Sequence, residues 1–304
     1  MKENLGRTFE VKDLGLLRYF LGIEIARSPK GIVLSQRKYI LDLLAKTGML
    51  GCWPCSTLTD KKHQISAQCG DSVNKGTYQR LVGRLIYLCH TGPDISYAVS
   101  VVSRYMHNPR TGHMEVVYRI LRYLKGTPGR GLWFRRNGHL DLEGKCDAYW
   151  ASSKDDRRST YEYCIFVGGN LVSWRSKKQA VVARSTAEAE YRAMTLSLCK
   201  MLWLKGLLKE LRVLRNETMM LHCDNVAAIN IANNPVQFNR TKHVEIDRFF
   251  IKEKLHSGAL KLEYVKSRSQ LAGCLTKGLG PSENELSCSK MGMLDIFSRS
   301  RWAC

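Results

Sequence analysis

The sequence predicts a mixed α/β protein with two unlike halves, and three observations carry that prediction. Up to Gly126 the chain is dominated by amphipathic helical patterns that follow a strand hairpin. The stretch TPGRG, from Thr127 to Gly131, then breaks the period. Beyond it the order becomes three strands, one long helix, a strand, helices, a strand and a last helical turn, and 304 residues are enough for two domains with ample cores.

Taken in order, FEVKDL, LRYFLGIEIARS and GIVLSQ alternate as strands do, the last two joined through a turn at Pro29 to Gly31. SQRKYILDLLAKTGM sets Tyr39, Ile40, Leu43 and Leu44 on one helical stripe and stops at Gly48. After a polar, Cys-bearing loop come three helical patterns: TYQRLVGRLIYLCH, PDISYAVSVVSRYMH with proline at its start, and HMEVVYRILRYLKG. HLDLEGKCDAYW, YEYCIFVGG and NLVSWRS read as strands, the latter two joined by a Gly168-Gly169-Asn170 turn. A helix from Thr186 to Leu211, the strand TMMLHCD, the helices VAAINIAN and KHVEIDRFFIKEKLHSG, the strand LKLEYV and a helical turn near Leu271 to Gly278 complete the pattern, with no internal repeat.

The net charge of +21 is spread along the whole chain, which favours a polyanionic partner, nucleic acid before a membrane surface. No apolar run approaches the roughly 18 residues that span a bilayer, and MKENLGRTFEVKD has no apolar signal region, so an intracellular, non-secreted protein is expected. Eleven cysteines, an odd number, suggest reduced thiols. Cys52, Cys55, His63 and Cys69 have the residue types of a zinc knuckle but not its spacing: seven and five residues fill gaps that need four each, so thiols in a loop are the preferred reading.

Three carboxylates stand in positions that suggest chemistry. Ser185 to Glu188 has the S-x-x-E form of a capping box, which explains Glu188 by helix capping. Glu190 instead shares the apolar stripe of Met194, Met201 and Leu204, where a carboxylate needs a partner, either an arginine or a cation from outside. Asp147 and Asp224 each end a strand-like run before a break, positions that also suit turn residues or N-caps. Neighbouring strand ends and the first turns of a covering helix can bring all three to one point, where divalent cations relieve their repulsion. Two such ions about 4 Å apart activate a water and steady the leaving oxygen of a phosphodiester.

CDAYWASSKDDRRSTYEYCIFVGGNLVSWRSKKQAVVARSTAEAEYRAM, LHCDNVAAI, NRTKHVEIDRFFIKEKL and QLAGCLTKGL closely resemble the ribonuclease H domain of copia-type LTR-retrotransposon Pol polyproteins, over about residues 138 to 295. VKDLGLLRYFLGIEI, YILDLLAKTGM, YQRLVGRLIYL, PDISYAVSVVSRYMHNP and RILRYLKGTPGRGL resemble the end of the reverse transcriptase palm, its thumb and its connection. The resemblance implies a ribonuclease H-like mixed five-stranded sheet with flanking helices at 138–280, preceded at 1–130 by a smaller α+β reverse transcriptase thumb/connection region and followed by a tail at 281–304. It implies Asp147, Glu190 and Asp224 as catalytic and metal-binding acids, two Mg2+ ions with Mn2+ as a substitute, an RNA/DNA hybrid as partner, the remainder of a Pol polyprotein as context, and a cytoplasmic virus-like particle or the nucleus as location.

Two departures from the family pattern bear on activity. The DADW motif is here Asp147-Ala148-Tyr149-Trp150, and the fourth acid of QLAD is replaced by Gly273. Losing even a residue that only supports a ligand commonly costs about 10- to 100-fold, so the expected nuclease is impaired. A catalytically dead, hybrid-binding remnant is the alternative. The paired Asp155 and Asp156 match a charged loop of the nuclease rather than a polymerase pair, so no DNA synthesis is expected. Arg157, Arg158, Lys177, Lys178, Arg184, Arg240, Lys242 and His243 flank the acids and are the candidate phosphate contacts, against a solvated charged face as the alternative. Tyr149, Trp150 and Trp174 can stack on bases or serve the core.

Overall fold

A computed structural model describes residues 10, 15–58, 65–213, 218–233, 242–275 and 278–297, without the side chains of 242–246. The FEVKDL strand expected near the N-terminus lies almost wholly outside the described residues. The first half opens with strands β1 (Tyr19–Phe20), β2 (Ile23–Ser28) and β3 (Gly31–Ser35). The β2–β3 hairpin closes at Ser28↔Gly31, around the predicted proline turn. Helix α1 (Arg37–Lys46) buries Ile40, Leu43 and Leu44, as its stripe requires, and stops before Gly48, whose φ of 69° suits a residue without Cβ.

Helices α2 (Lys75–Leu88), α3 (Ser96–Ser103) and α4 (Thr111–Gly126) follow. Asn74 caps α2 by accepting the Thr77 N–H at 2.8 Å, and Pro93 opens a short 3-10 turn ahead of α3. The four helices share one apolar core around Leu44, Tyr78, Leu85, Ile120 and Leu121.

Strand β4 (Arg130–Arg135) was not anticipated from sequence, because the TPGRG break masks its start. It pairs with β3 on one side. The second half then supplies β5 (Leu142–Tyr149), β6 (Thr160–Val167), β7 (Asn170–Lys178), α5 (Thr186–Glu210), β8 (Met219–Cys223), α6 (Val226–Asn233), α7 (Lys242–His256) and β9 (Leu260–Tyr264). After a 3-10 turn at Ala272–Leu275, helix α8 (Pro281–Lys290) and β10 (Met293–Asp295) return to the first half, where β10 pairs with the free edge of β4. One antiparallel sheet therefore runs β1-β2-β3-β4-β10, with its last strand drawn from the C-terminal tail.

The other sheet runs β7-β6-β5-β8-β9. Its β5–β6 and β6–β7 pairs are antiparallel, and β5–β8 and β8–β9 are parallel. This is the mixed five-stranded sheet that the second half was expected to form. Cys146, Ala148, Tyr163 and Ile165 on one face meet Met194, Leu198 and Met201 of α5. Gly144 lets the helix close down, since a Cβ there would lie 2.5 Å from Met201 Sδ. On the opposite face Cys164 and Phe166 join Leu271, Leu275, Cys288, Met291 and Leu132 in a core that links the two sheets. Two polar contacts add to this junction: Arg104 Nη2 donates to Thr160 Oγ1 at 3.0 Å, and Trp174 Nε1 to Ser96 Oγ at 3.1 Å.

Candidate functional site

Strand alternation sets the geometry. Cys146 and Ala148 point into the α5 core, so Asp147 faces the other side of the sheet near the end of β5. Its Oδ1 accepts the Ala148 N–H at 2.9 Å, and the same N–H donates to Glu190 Oε1 at 3.2 Å. Carboxylates from β5 and α5 thus converge on one backbone amide. Glu190 is 3% exposed and has no ion-pair partner among the described residues, so the Arg-paired alternative fails for it. The neighbouring Glu188 takes that role, with Arg192 Nη2 at 2.9 Å. Glu188 also caps the helix, although its Oε2 accepts from Arg184 N–H rather than from Ser185.

The parallel neighbour β8 delivers the third acid. Asp224 follows its last residue, and one ligand atom each from Glu190, Cys223 and Asp224 lie within 4.8 Å of one another. Cys223 Sγ stands 4.0 Å from Glu190 Oε2, while the Cys146 thiol on β5 donates to the His222 carbonyl at 3.6 Å. Burial, then the charges of Asp147, Cys223 and Asp224, push the Glu190 carboxyl up to about 10. The sequence-predicted acids Asp147, Glu190 and Asp224 therefore meet at adjoining strand ends, with Glu190 between the other two. Oxygens of Glu190 and Asp224, with the Cys223 thiol, have a spacing that suits a metal ion, and Asp147 joins them through the Ala148 amide it shares with Glu190.

Two groups at this site escaped sequence reasoning. Cys223 was read only as the end of a strand. Glu162 lies directly opposite Asp147 in the β5–β6 register and is fully buried. Its signal was available, since a carboxylate inside TYEYCIFV, a strand buried through seven successive residues, needs an explanation. Burial, then the charge of Asp147, holds its carboxyl well above the usual range.

Gly273 lies on the 3-10 turn that packs over β5 and β6. Gln270 fastens that turn by donating to the carbonyls of Cys146 at 2.8 Å and His222 at 3.3 Å. A Cβ at position 273 would stand 2.9 Å from Asp147 Oδ2 and meet nothing else outside that side chain within 4 Å. A side chain at 273 would therefore press on the Asp147 carboxylate, which would have to shift; this chain has no acid there.

The basic candidates divide. Lys178 Nζ lies 2.7 Å and Arg158 Nε 3.6 Å from Asp156 Oδ2, so both are engaged by the protein. Arg157, Lys177 and Arg184 are exposed. Arg240 and the side chains of Lys242 and His243 lie outside the described residues. Asp155 accepts from Tyr105 OH and Ala67 N–H, so the Asp155–Asp156 pair is tied to the protein itself. Trp150 and Trp174 each donate from Nε1 to protein oxygens, while Tyr149 is 39% and Trp150 43% exposed beside the acids. Cys52, Cys55 and Cys69 are free thiols; among the described residues they form no metal-binding group, and His63 lies outside them.

A family model described as reverse transcriptase (RNA-dependent DNA polymerase) matches residues 1–61. The chain is 43% identical over 295 residues, 97% of its length, to the retrovirus-related Pol polyprotein of transposon RE1 from Arabidopsis thaliana. It is 36% identical over 96% of its length to the corresponding polyprotein of transposon TNT 1-94 from Nicotiana tabacum. An uncharacterised mitochondrial protein of Arabidopsis thaliana is 42% identical over 66% of this chain and 83% of its own length. The chain belongs to the copia-type retrotransposon Pol family. It spans about a fifth of the length of the RE1 and TNT 1-94 polyproteins. Among solved structures, the N-terminal ribonuclease H domain of a Mycobacterium tuberculosis protein aligns with 49% of this Pol chain and 97% of that chain, at 10% identity and a TM-score of 0.34. A foamy viral protease-reverse transcriptase aligns with 82% of this chain and 37% of that chain, at 12% identity and a TM-score of 0.47. No described helix is long and apolar enough to cross a membrane.

Proposed function

We propose that residues 138–280 form a ribonuclease H unit that hydrolyses the RNA strand of an RNA/DNA hybrid with two divalent cations, Mg2+ or Mn2+. Residues 1–130 are then a remnant of the reverse transcriptase, and 281–304 a tail. The observation that carries this reading is the convergence of Asp147 and Glu190 on the Ala148 amide with Asp224 beside Glu190. Asp147, Glu190 and Asp224 would hold the cations, which supply a nucleophilic water and charge stabilisation at the leaving oxygen. The side chains themselves fix the donor geometry: β5 and β8 are rigid neighbours in one sheet, and the second turn of α5 locks Glu190 over their ends. Exposed Lys177, Arg157 and Arg184 would meet phosphates and give affinity without sequence reading.

One observation favours a second reading. Gly273 leaves the site without the family's fourth acid, which suits a dead hybrid-binding remnant. Incubating the full chain with a labelled hybrid in Mg2+ and then Mn2+ separates the two. Cleavage of the RNA strand that Asp224→Asn abolishes supports the nuclease. Salt-sensitive binding without products in either metal overturns it in favour of the remnant.

A further inference from the structure

We propose that Glu162 serves as the fourth metal-binding carboxylate of this chain, reaching from β6 to the face of Asp147 that Gly273 leaves without an acidic side chain. The proposal rests on the two-cation reading above and concerns which residues complete its site. Asp147 and Glu162 are direct cross-strand partners, and such pairs project to the same face with Cβ atoms about 4.5–5.5 Å apart. The turn bearing Gly273 covers that same face, and a Cβ at 273 would stand 2.9 Å from Asp147 Oδ2.

The bonding of Glu162 is incomplete in a way that points to a ligand. Its Oε1 accepts from Ser176 Oγ at 3.2 Å, but its Oε2, shielded from solvent, has no hydrogen-bond partner among the described residues. A buried acceptor left in that state costs about 1–3 kcal/mol, and a carboxylate is among the side chains least often fully buried unpaired. Arg104 is the described cation that faces it, yet its Nη2 is spent on Thr160 Oγ1 and it makes no ion pair with Glu162. Asp147 and Glu162 therefore share one face of the sheet, Glu190 reaches the Ala148 amide beside them, and among the described residues no cation forms an ion pair with Glu162, Arg104 Nε being itself buried without a hydrogen-bond partner. All three carboxylates offer oxygen, which selects a hard divalent ion such as Mg2+ or Mn2+ over a thiophilic one.

The test is Mn2+ binding to the full chain, followed by calorimetry and by the spin-resonance signal of free Mn2+, with no substrate present. Glu162→Gln should weaken Mn2+ affinity by about 10- to 100-fold while its metal-free melting temperature holds or rises. Gly273→Asp placed on Glu162→Gln should restore the affinity, because it returns a carboxylate to the same face. Unchanged affinity in Glu162→Gln, alongside lost affinity in Asp147→Asn, overturns the role of Glu162 and leaves the two-cation reading standing. A wild-type chain that binds no Mn2+ overturns both. Should the Gln variant not fold, Glu162→Asp keeps the charge but withdraws the carboxylate by one methylene: weakened affinity supports the proposal, and unchanged affinity overturns it.

Discussion

Asp94 in the first half and Glu190 in the second are both buried carboxylates, but their surroundings differ in kind. Around Asp94, Tyr123 OH donates at 2.7 Å and the Arg130 guanidinium stands 3.8 Å away, itself bonded to Tyr123 OH, Cys288 Sγ and Glu285. Asn284 of α8 completes the ring through Tyr123 OH at 3.0 Å. Around Glu190 stand a backbone amide, a thiol and further acids, with no protein cation in contact among the described residues. The first arrangement is closed by the chain's own charge and ties the tail to α4 and β4. The second is open, and its balance must come from protons or from metal ions.

The largest effect follows from breaking the closed cluster. Arg130→Met should lower unfolding free energy by about 3–5 kcal/mol, because it strands Asp94 without its cation; urea unfolding measures it. The same substitution should leave Mn2+ binding at the second cluster intact. Loss of both together would show that the two halves do not bury their acids independently.

The open cluster should respond to pH in the opposite sense from a salt-bridged acid. Glu190 rises from an ordinary 4.5 to about 10, so the folded chain keeps a proton that the unfolded chain has released. That stabilisation is fully present below about pH 4.5 and is lost as pH climbs toward about 10. In metal-free buffer the melting temperature should therefore fall between about pH 5 and 9 more steeply for the wild type than for Glu190→Gln. Added Mn2+ should flatten the wild-type curve, since a bound cation replaces the proton. Equal slopes with and without Mn2+ would mean that the cluster takes up no metal.

Why part of this was legible in sequence and part was not comes down to range. The Ser185 cap, the α1 stripe ending at Gly48 and the alternation that sends Asp147 and Cys146 to opposite faces are local, and a few residues state them in full. Glu190 was likewise readable as a carboxylate on an apolar stripe, whereas Asp147 and Asp224, each ending a strand-like run, suited turn or capping roles as well and were singled out by the family resemblance. Pairing across the sheet was not readable: nothing near Glu162 reports that Asp147 is its partner, and nothing near Cys223 reports that Cys146 and Glu190 lie beside it. Strand β10 spans three residues, too few to show a period of two, and it exists only because β4 offers an edge. The basic residues failed to resolve for a similar reason, since sequence cannot say which lysine an aspartate has already claimed.

That last distinction gives the smallest and most discriminating test. Lys177 and Lys178 are adjacent on β7, so alternation turns them to opposite faces. Lys178 is held by Asp156, which, against the effect of burial, this hydrogen bond keeps down at about 2. Lys177 is exposed. If exposed Lys177 meets a phosphate, Lys177→Ala should reduce the slope of log affinity against log salt for a hybrid by roughly 0.7–0.9, one released counterion. Lys178→Ala should change that slope less, and should instead weaken the loop around Asp156: the stability this acid contributes is present above its ordinary 3.8 and fades as pH falls through about 2. Salt titrations of the two variants side by side decide the matter. Equal slope changes would mean that the Asp156 pairing breaks when the hybrid binds, and that Lys178 turns from the loop to the nucleic acid.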